Sequence, residues 1–572
     1  MTLNLETPVS RPAPSPSAHS AQAKKPVQHF KRPVERPFTR AQRPYTTVLF
    51  GGLTWSHERL IRGAWEGLGY KCDVVPTPDV KAFQLGKEYG NNGQCNPTYF
   101  TVGNLVQFLH GLEAKGLSRE QICNDYVFIT AGACGPCRFG MYEAEYRLAL
   151  RNSGFEDFRV MLFQQSKGLS QEDLEAGIEM NLDFFLGMLN AMNMGDMLNE
   201  IGYLVRPYET EEGRTDRVLD GAREALAETL KNQPRPKLGE GVEKMLRRTG
   251  LYNKADYAMK FTGQLASSYY TDALHGVRDQ FADIEVDRFR VKPVVKITGE
   301  FWAQTTEGDG NYNMFRFLER EGAEVIVEPI GTWIMYMIHQ FKQKLRDRKG
   351  IEDKAEMPAW NREPHRRIAV ETRFRQRYTR MTIAEKIFMR EYTRLQEALG
   401  GGVLHELVCQ YELQRMGHPY YNSRAAGGEG HLEVAKNIYY SSKGIAHMVV
   451  SLKPFGCMPS TQSDGAQAAV VEQYKDMIYL PIETSGEGEI NAHSRTQMAL
   501  GNARIKAKQE FAEALARTGR SLEELKAYVD AHPEMKKALY VVPKRDDVVG
   551  KAANFVLHVA ERMGQEVKRS VA

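Results

Sequence analysis

Cysteines carry the clearest chemical signal in this chain. Cys134-Gly-Pro-Cys137 sits where a β-branched and aromatic run over 126–130 gives way to a helix expected from Arg138. A C-x-x-C at a strand-to-helix turn aims both sulfurs at the helix N-terminus, where free N–H groups and the positive dipole end favour thiolate over thiol. That suits a metal ligand and a reactive dithiol equally. Cys95, in Gly-Gln-Cys-Asn-Pro97, falls just outside a helix whose first turn accepts Pro97. Cys457, in Pro454-Phe-Gly-Cys-Met-Pro459, follows a strand expected over 447–452, and Gly456 permits a sharp turn there. All four lie at the C-terminal ends of expected strands or in the loops after them, where open α/β sheets place their ligands. Cys72, in a strand, Cys123, just before one, and Cys409, in an apolar helix over 404–413, read instead as small buried hydrophobes.

If Cys95, Cys134, Cys137 and Cys457 converge, four thiolates suit a 4Fe-4S cluster or a structural zinc. Zinc sites usually contain two close cysteine pairs and only one exists here, so iron-sulfur is the better expectation. Such a cluster carries a charge of about −2, which helix N-termini offset. A thiol-disulfide oxidoreductase is the rival, because Cys-Gly-Pro-Cys is also a thioredoxin motif; no Trp precedes it, however, and a thioredoxin needs no partner loops at Cys95 and Cys457. A zinc-stabilised interaction scaffold is the third reading.

The elements that must position these sulfurs alternate. A strand over 46–50, a Gly51-Gly52 turn, a helix over 57–68 and a strand over 72–75 form a β-α-β unit. A helix over 97–112, a strand over 126–130, a helix over 138–152 and a strand over 158–163 continue it, which favours a parallel sheet covered on both faces. Leu174, Ile178, Leu182, Phe185, Leu189 and Met192 keep helical spacing, so 171–290 reads as a helical connector. A second α/β unit opens with strands over 294–298 and 324–328 and closes with strands over 447–452 and 477–480. The fold expected is α/β: two Rossmann-like domains, 46–170 and 291–515, joined by the connector, with a C-terminal helical segment over 516–572. Residues 342–380 form a charged insertion, 13 Lys or Arg against six Asp or Glu, expected as a solvated helix and loop.

At 572 residues the chain should hold three or four core-forming units of roughly 150 residues each. Seven cysteines are too few for a disulfide scaffold, no apolar leader precedes the fold, and the longest apolar runs fall well short of the roughly 20 residues a membrane span needs. A reducing cytoplasm is expected. Residues 1–45 carry eight Lys or Arg and two Asp or Glu, leaving the remainder of this +4 chain at −2, with no global field for nucleic acid. Pro, Ser and Ala in that basic segment predict a disordered tail.

Five blocks in order, Gly86-Lys-Glu-Tyr-Gly-Asn-Asn-Gly-Gln-Cys95-Asn-Pro, Ala133-Cys-Gly-Pro-Cys-Arg-Phe-Gly140, Arg206-Pro-Tyr-Glu209, Gly427-Gly-Glu-Gly430 and Pro454-Phe-Gly-Cys-Met-Pro459, resemble the 2-hydroxyacyl-CoA dehydratase and CoA-substrate-specific enzyme activase-related superfamily. The resemblance spans about residues 46–515. It implies Rossmann-like domains flanking an iron-sulfur cluster, Cys95, Cys134, Cys137 and Cys457 as its ligands, and low-potential electron transfer fed by an activator ATPase of the sugar kinase and actin-like fold. The chain has no Walker A or comparable phosphate loops, so that ATPase would be a separate protein. If all four cysteines ligate one cubane, no iron is open, and the chain is an electron carrier or reductase component. If one does not, reductive dehydration of a CoA thioester becomes available. Whether a dimer shares a larger cluster stays open.

Acid-base candidates follow the last expected strand: Glu483, Glu487 and His493 for protons and Arg495 for a phosphate or carboxylate. Helix capping and surface polarity explain the same residues. Glu88 and Arg138, beside the expected ligands, are candidates for tuning the cluster.

Overall fold

The computed structural model describes residues 36–132, 137–164, 168–169, 177–235, 239–349, 351, 364–425 and 427–571. Thr47–Phe50 (β1), fully buried, leads through Trp55–Gly67 (α1) to Cys72–Val74 (β2), making the expected crossover. Two helices follow, Val80–Tyr89 (α2), which the sequence reading passed over, and Asn96–Ala114 (α3). Arg119–Asp125 (α4), Tyr126–Gly132 (β3), Tyr142–Asn152 (α5) and Arg159–Gln164 (β4) complete the unit, and Gly168–Leu169 (β5) adds an edge. The strand order is β2-β1-β3-β4-β5, parallel except for β5, which pairs antiparallel to β4.

The connector contains Leu182–Val205 (α6), Arg214–Lys231 (α7), Glu240–Arg248 (α8), Tyr252–Ala266 (α9) and Tyr269–Ala282 (α10). Its first helix starts at Leu182, not 171: Ile178 is buried outside any helix, and Leu174 lies outside the described residues. The second sheet runs β7-β6-β8-β9, all parallel, with Val294–Gly299 (β6), Glu324–Ile326 (β7), Met448–Pro454 (β8) and Tyr479–Thr484 (β9). Phe301–Thr305 (α11), Met314–Arg320 (α12), Ile330–Asp347 (α13), Pro364–Gly400 (α14), Gln410–Gly417 (α15), Gly430–Ser442 (α16) and Met458–Gln473 (α17) accompany it. Glu489–Thr518 (α18), Leu522–Ala531 (α19) and Lys551–Val571 (α20) close the chain, α20 packing along α18.

In both sheets the first strand lies between the second and the third, so each reverses its winding direction between its first and third strands. In such sheets the crevice for a ligand opens at the C-terminal ends of those two strands. The loop after β3 is the C-x-x-C loop, Glu300 follows β6, and Cys457 lies three residues past β8.

Two expectations change. Residues 37–45 are not free tail: Phe38 is buried in the main core, its carbonyl accepts from Gly177 N at 2.7 Å, and Arg43 pairs with Glu179 at 3.0 Å. Cys409 is exposed and sits just ahead of α15, because residues 404–409 are not helical and the helix starts only at Gln410. Cys72 and Cys123 are buried. Among the described residues no helix is long and apolar enough to cross a membrane.

Candidate functional site

Cys95, Cys137 and Cys457 share one local geometry. Each is the residue immediately before a helical turn: Cys95 before α3, Cys137 before a 3-10 turn over Arg138–Met141, and Cys457 before α17. All three have extended backbone, and prolines in the first turns of α3 and α17 fit there because the missing N–H has no intrahelical partner. Serine or aspartate usually fills such positions; cysteine caps poorly, and none of the three sulfurs makes a capping hydrogen bond.

The loops carrying Cys95 and Cys457 touch. Asn96 N donates to Phe455 O at 2.9 Å, and Phe455 N donates to Thr484 O at 2.8 Å, so the first cysteine loop joins both β8 and β9 of the second sheet. Gly456, with φ of 76°, makes this approach possible: a Cβ there would lie 3.1 Å from Gln94 O and 3.3 Å from Cys95 Cα. Gly428 marks the third thiol, since its Cβ would lie 3.7 Å from Cys137 Cβ and collide with Pro459, two residues past Cys457. Cys134 lies outside the described residues.

The Cys95 loop is held from below. Gly103 on α3 and Gly86 on α2 let the two helices meet backbone to backbone; a Cβ on Gly103 would sit 1.8 Å from Ala82 O. Buried Glu145 on α5 accepts from Asn91 Nδ2 at 2.8 Å and Gln94 Nε2 at 3.0 Å. Arg138 donates to Gly93 O, tying the turn after Cys137 to the same loop. Trp302 of α11 packs with Phe83, Tyr99 and Phe100, joining the second sheet's first loop to α2 and α3.

The surroundings of the three thiols are acidic and largely buried. Burial raises the Cys95 thiol, against hydrogen bonds from Thr98 Oγ1 at 3.1 Å and Tyr142 Oη at 3.2 Å. Burial, with Glu429, Glu300 and Cys95 nearby, pushes Cys137 up to about 12, and burial with Glu300 and Glu433 raises Cys457 further. Glu300 acts on all three thiols, and its own carboxyl is pushed by burial to about 7 although Ala303 N donates to it at 2.9 Å. Glu429 is raised well above the carboxylate range by burial and by Glu300 and Glu433, and its Oε2 has no hydrogen-bond partner. Glu433, wholly buried, accepts from Ser460 Oγ at 2.6 Å and from Ser463, with Lys453 Nζ 3.8 Å away. Three carboxyls thus act electrostatically on the three thiols and on one another, with Lys453 and Lys436 the nearby cations. At neutral pH such a group avoids the cost of buried charge by keeping protons, or loses them to a bound cation. Among the described residues no three or more His, Cys, Asp or Glu side chains stand close enough to hold a metal ion as they are.

The other sequence candidates have different surroundings. Glu483 and Glu487 are exposed, and Glu487 is engaged only through its carbonyl, which accepts from Tyr312 Oη. His493 stacks on Phe317 at 3.8 Å, and its Nε2 donates to Tyr312 O at 2.8 Å, because α18 turns this face toward α12. Arg495 donates to Pro481 O at 2.9 Å, and Glu88 is exposed on α2. The residues around the thiols that sequence reasoning missed are Thr98, Tyr142, Glu145, Glu300 and Glu433. Glu429 lay inside the quoted Gly427-Gly-Glu-Gly430 block, whose buried carboxyl disfavours an anion there.

No protein-family model and no curated protein matches this chain.

Proposed function

We propose that the chain is an iron-sulfur protein of the 2-hydroxyacyl-CoA dehydratase and activase-related type, its two Rossmann-like halves holding a 4Fe-4S cluster on Cys95, Cys134, Cys137 and Cys457. The observation that supports this reading best is the contact between the Cys95 and Cys457 loops, which come from different sheets yet share a backbone hydrogen bond of 2.9 Å. The donor set also fits: thiols at three helical starts, Cys95 and Cys457 buried and Cys137 half-buried, with hydroxyls directed at one sulfur. Such a cluster supplies low-potential one-electron chemistry.

The chain's own groups have definable tasks. Each thiol gives up its proton on loading, which their raised pKa values make pH-dependent. Thr98 and Tyr142 hydroxyls donate to Cys95 Sγ and stabilise its thiolate form. Glu300, with a carboxyl near pH 7, is better placed than Glu483, Glu487 or His493 to hold a proton beside the sulfurs. The role is ATP-coupled low-potential electron transfer, or dehydration of a CoA thioester, with a separate activator ATPase.

Purification without air distinguishes the readings. Broad brown visible absorbance with matched iron and acid-labile sulfide supports the cluster. A colourless protein with a titratable dithiol, or one with stoichiometric zinc, refutes it.

A further inference from the structure

The long helix α18 has two apolar faces where a surface helix needs one. Its inner face, with Ala492, Leu500 and Ala503, is buried in the core of the second sheet. The opposite face of such a helix is normally charged. Here the residues that follow one another at three- and four-residue steps along it are Ile490, Ser494, Met498, Gly501, Ile505 and Lys508, a single charge among six. Ile490 is 84% exposed, Met498 71% and Ile505 56%; the first two are the most exposed large apolar side chains among the described residues. A Cβ on Gly501 would meet nothing within 4 Å, so the space above the middle of the stripe is open.

The stripe matches itself when reversed. Ile490 lies eight residues before Met498 and Ile505 seven after it; Ser494 lies four before and Gly501 three after. A second copy of the helix, laid antiparallel about a two-fold axis beside Met498, therefore sets each Met498 against its counterpart, each Ile490 against Ile505 of the other copy, and each Ser494 against Gly501. The small residues at those two levels let the backbones approach closely. Charge follows the same register without being required by it. Lys508 lies ten residues after Met498 and Glu487 eleven before; both are exposed, and the reversed copy brings them opposite each other twice per dimer. The contact runs along about 30 Å of helix at 1.5 Å per residue, the scale of a small, reversible interface.

We propose that this outer face of α18 is a homodimer interface, two chains meeting antiparallel about a two-fold axis beside Met498. It goes beyond the cluster reading and does not depend on it.

Sedimentation velocity of the full chain between about 1 and 100 µM tests this, and should show a reversible monomer-dimer equilibrium in that range. Met498→Arg sets two like charges across the axis and should weaken the dimer at least about tenfold, with unchanged circular dichroism because the side chain is 71% exposed. Lys508→Glu and Glu487→Lys should each weaken it about threefold or more, and the chain carrying both exchanges should return to within about twofold of the native affinity. A chain that stays monomeric at about 100 µM, a dimer indifferent to Met498→Arg, or a double exchange that is not restored would overturn the proposal.

Discussion

Replacing Glu328 with glutamine should unfold the second sheet at a much lower temperature. Lys296, on the central strand β6, is fully buried, and its Nζ lies 2.7 Å from Glu328 Oε2; Lys436 Nζ is 3.6 Å from the same oxygen. Tyr440 Oη donates to that carboxylate at 3.3 Å, and its ring lies 4.4 Å from Lys296 Nζ. One carboxylate therefore balances two buried ammonium groups. Removing a single partner of a buried pair costs about 3–5 kcal/mol, because the remaining charge stays desolvated and unpaired. At roughly 2–4 °C per kcal/mol for a large cooperative unit, that is about 6–20 °C of melting temperature. The pH profile gives a second reading. Burial alone would raise the Glu328 carboxyl, but Lys296 and Lys436 outweigh it and hold the pKa down to about 2. A depressed carboxylate stabilises the fold fully above its ordinary value of 4.5, and that stability is lost as pH falls from 4.5 toward 2. Differential scanning fluorimetry from pH 3 to pH 8 should show the variant's deficit largest at neutral pH and shrinking on acidification. A deficit under about 2 °C, or one that is flat with pH, would refute the electrostatic reasoning.

Glu58 should behave oppositely. Burial pushes its carboxyl up to about 8 against hydrogen bonds from Leu53 N and Gly52 N, so its contribution is complete below 4.5 and is lost as pH rises from 4.5 to 8. Glu58→Gln, which keeps an oxygen for both donors, should flatten the melting-temperature profile over that window; an unchanged slope contradicts the assignment. Gly456→Ala forces a side chain into left-handed backbone beside Gln94 O and should cost about 1–2 kcal/mol. Because Gly456 seats one cysteine loop on the other, iron per chain should fall in protein prepared without air even where circular dichroism is unchanged; full iron retention would show that the contact is dispensable.

Much of this arrangement was legible because its signals are local. β1, β3, β6 and β8 are short apolar runs ended by glycine, proline or polar residues, and buried parallel strands look like that. Pro97 marked the helix start that leaves Cys95 at its cap, whereas the helix beginning after Cys457 was not anticipated. The acids were not legible, for a physical reason. Glu300 ahead of a short helix reads as an ordinary cap, and it is one, accepting from Ala303 N; only the folding of β6 beside β8 places it among thiols. Glu433 reads as an exposed position in an amphipathic helix until α16 and α17 close over it. Conversely, His493 resembles a crevice residue by its place after β9, but one turn of α18 rotates it onto Phe317. Cys409 lies outside a helix because Leu404, Leu407 and Val408, whose apolar spacing suggests one, are buried in a non-helical segment that ends at Gln410.

The most direct measurement is iron and acid-labile sulfide per chain, in protein purified without air, for the native sequence and for Cys457→Ala. The account expects matched iron and sulfide in the native chain and loss of most of both in the variant, with the fold retained. Native-level iron in Cys457→Ala would confine the ligands to the first sheet's loops and contradict a site shared between the two halves.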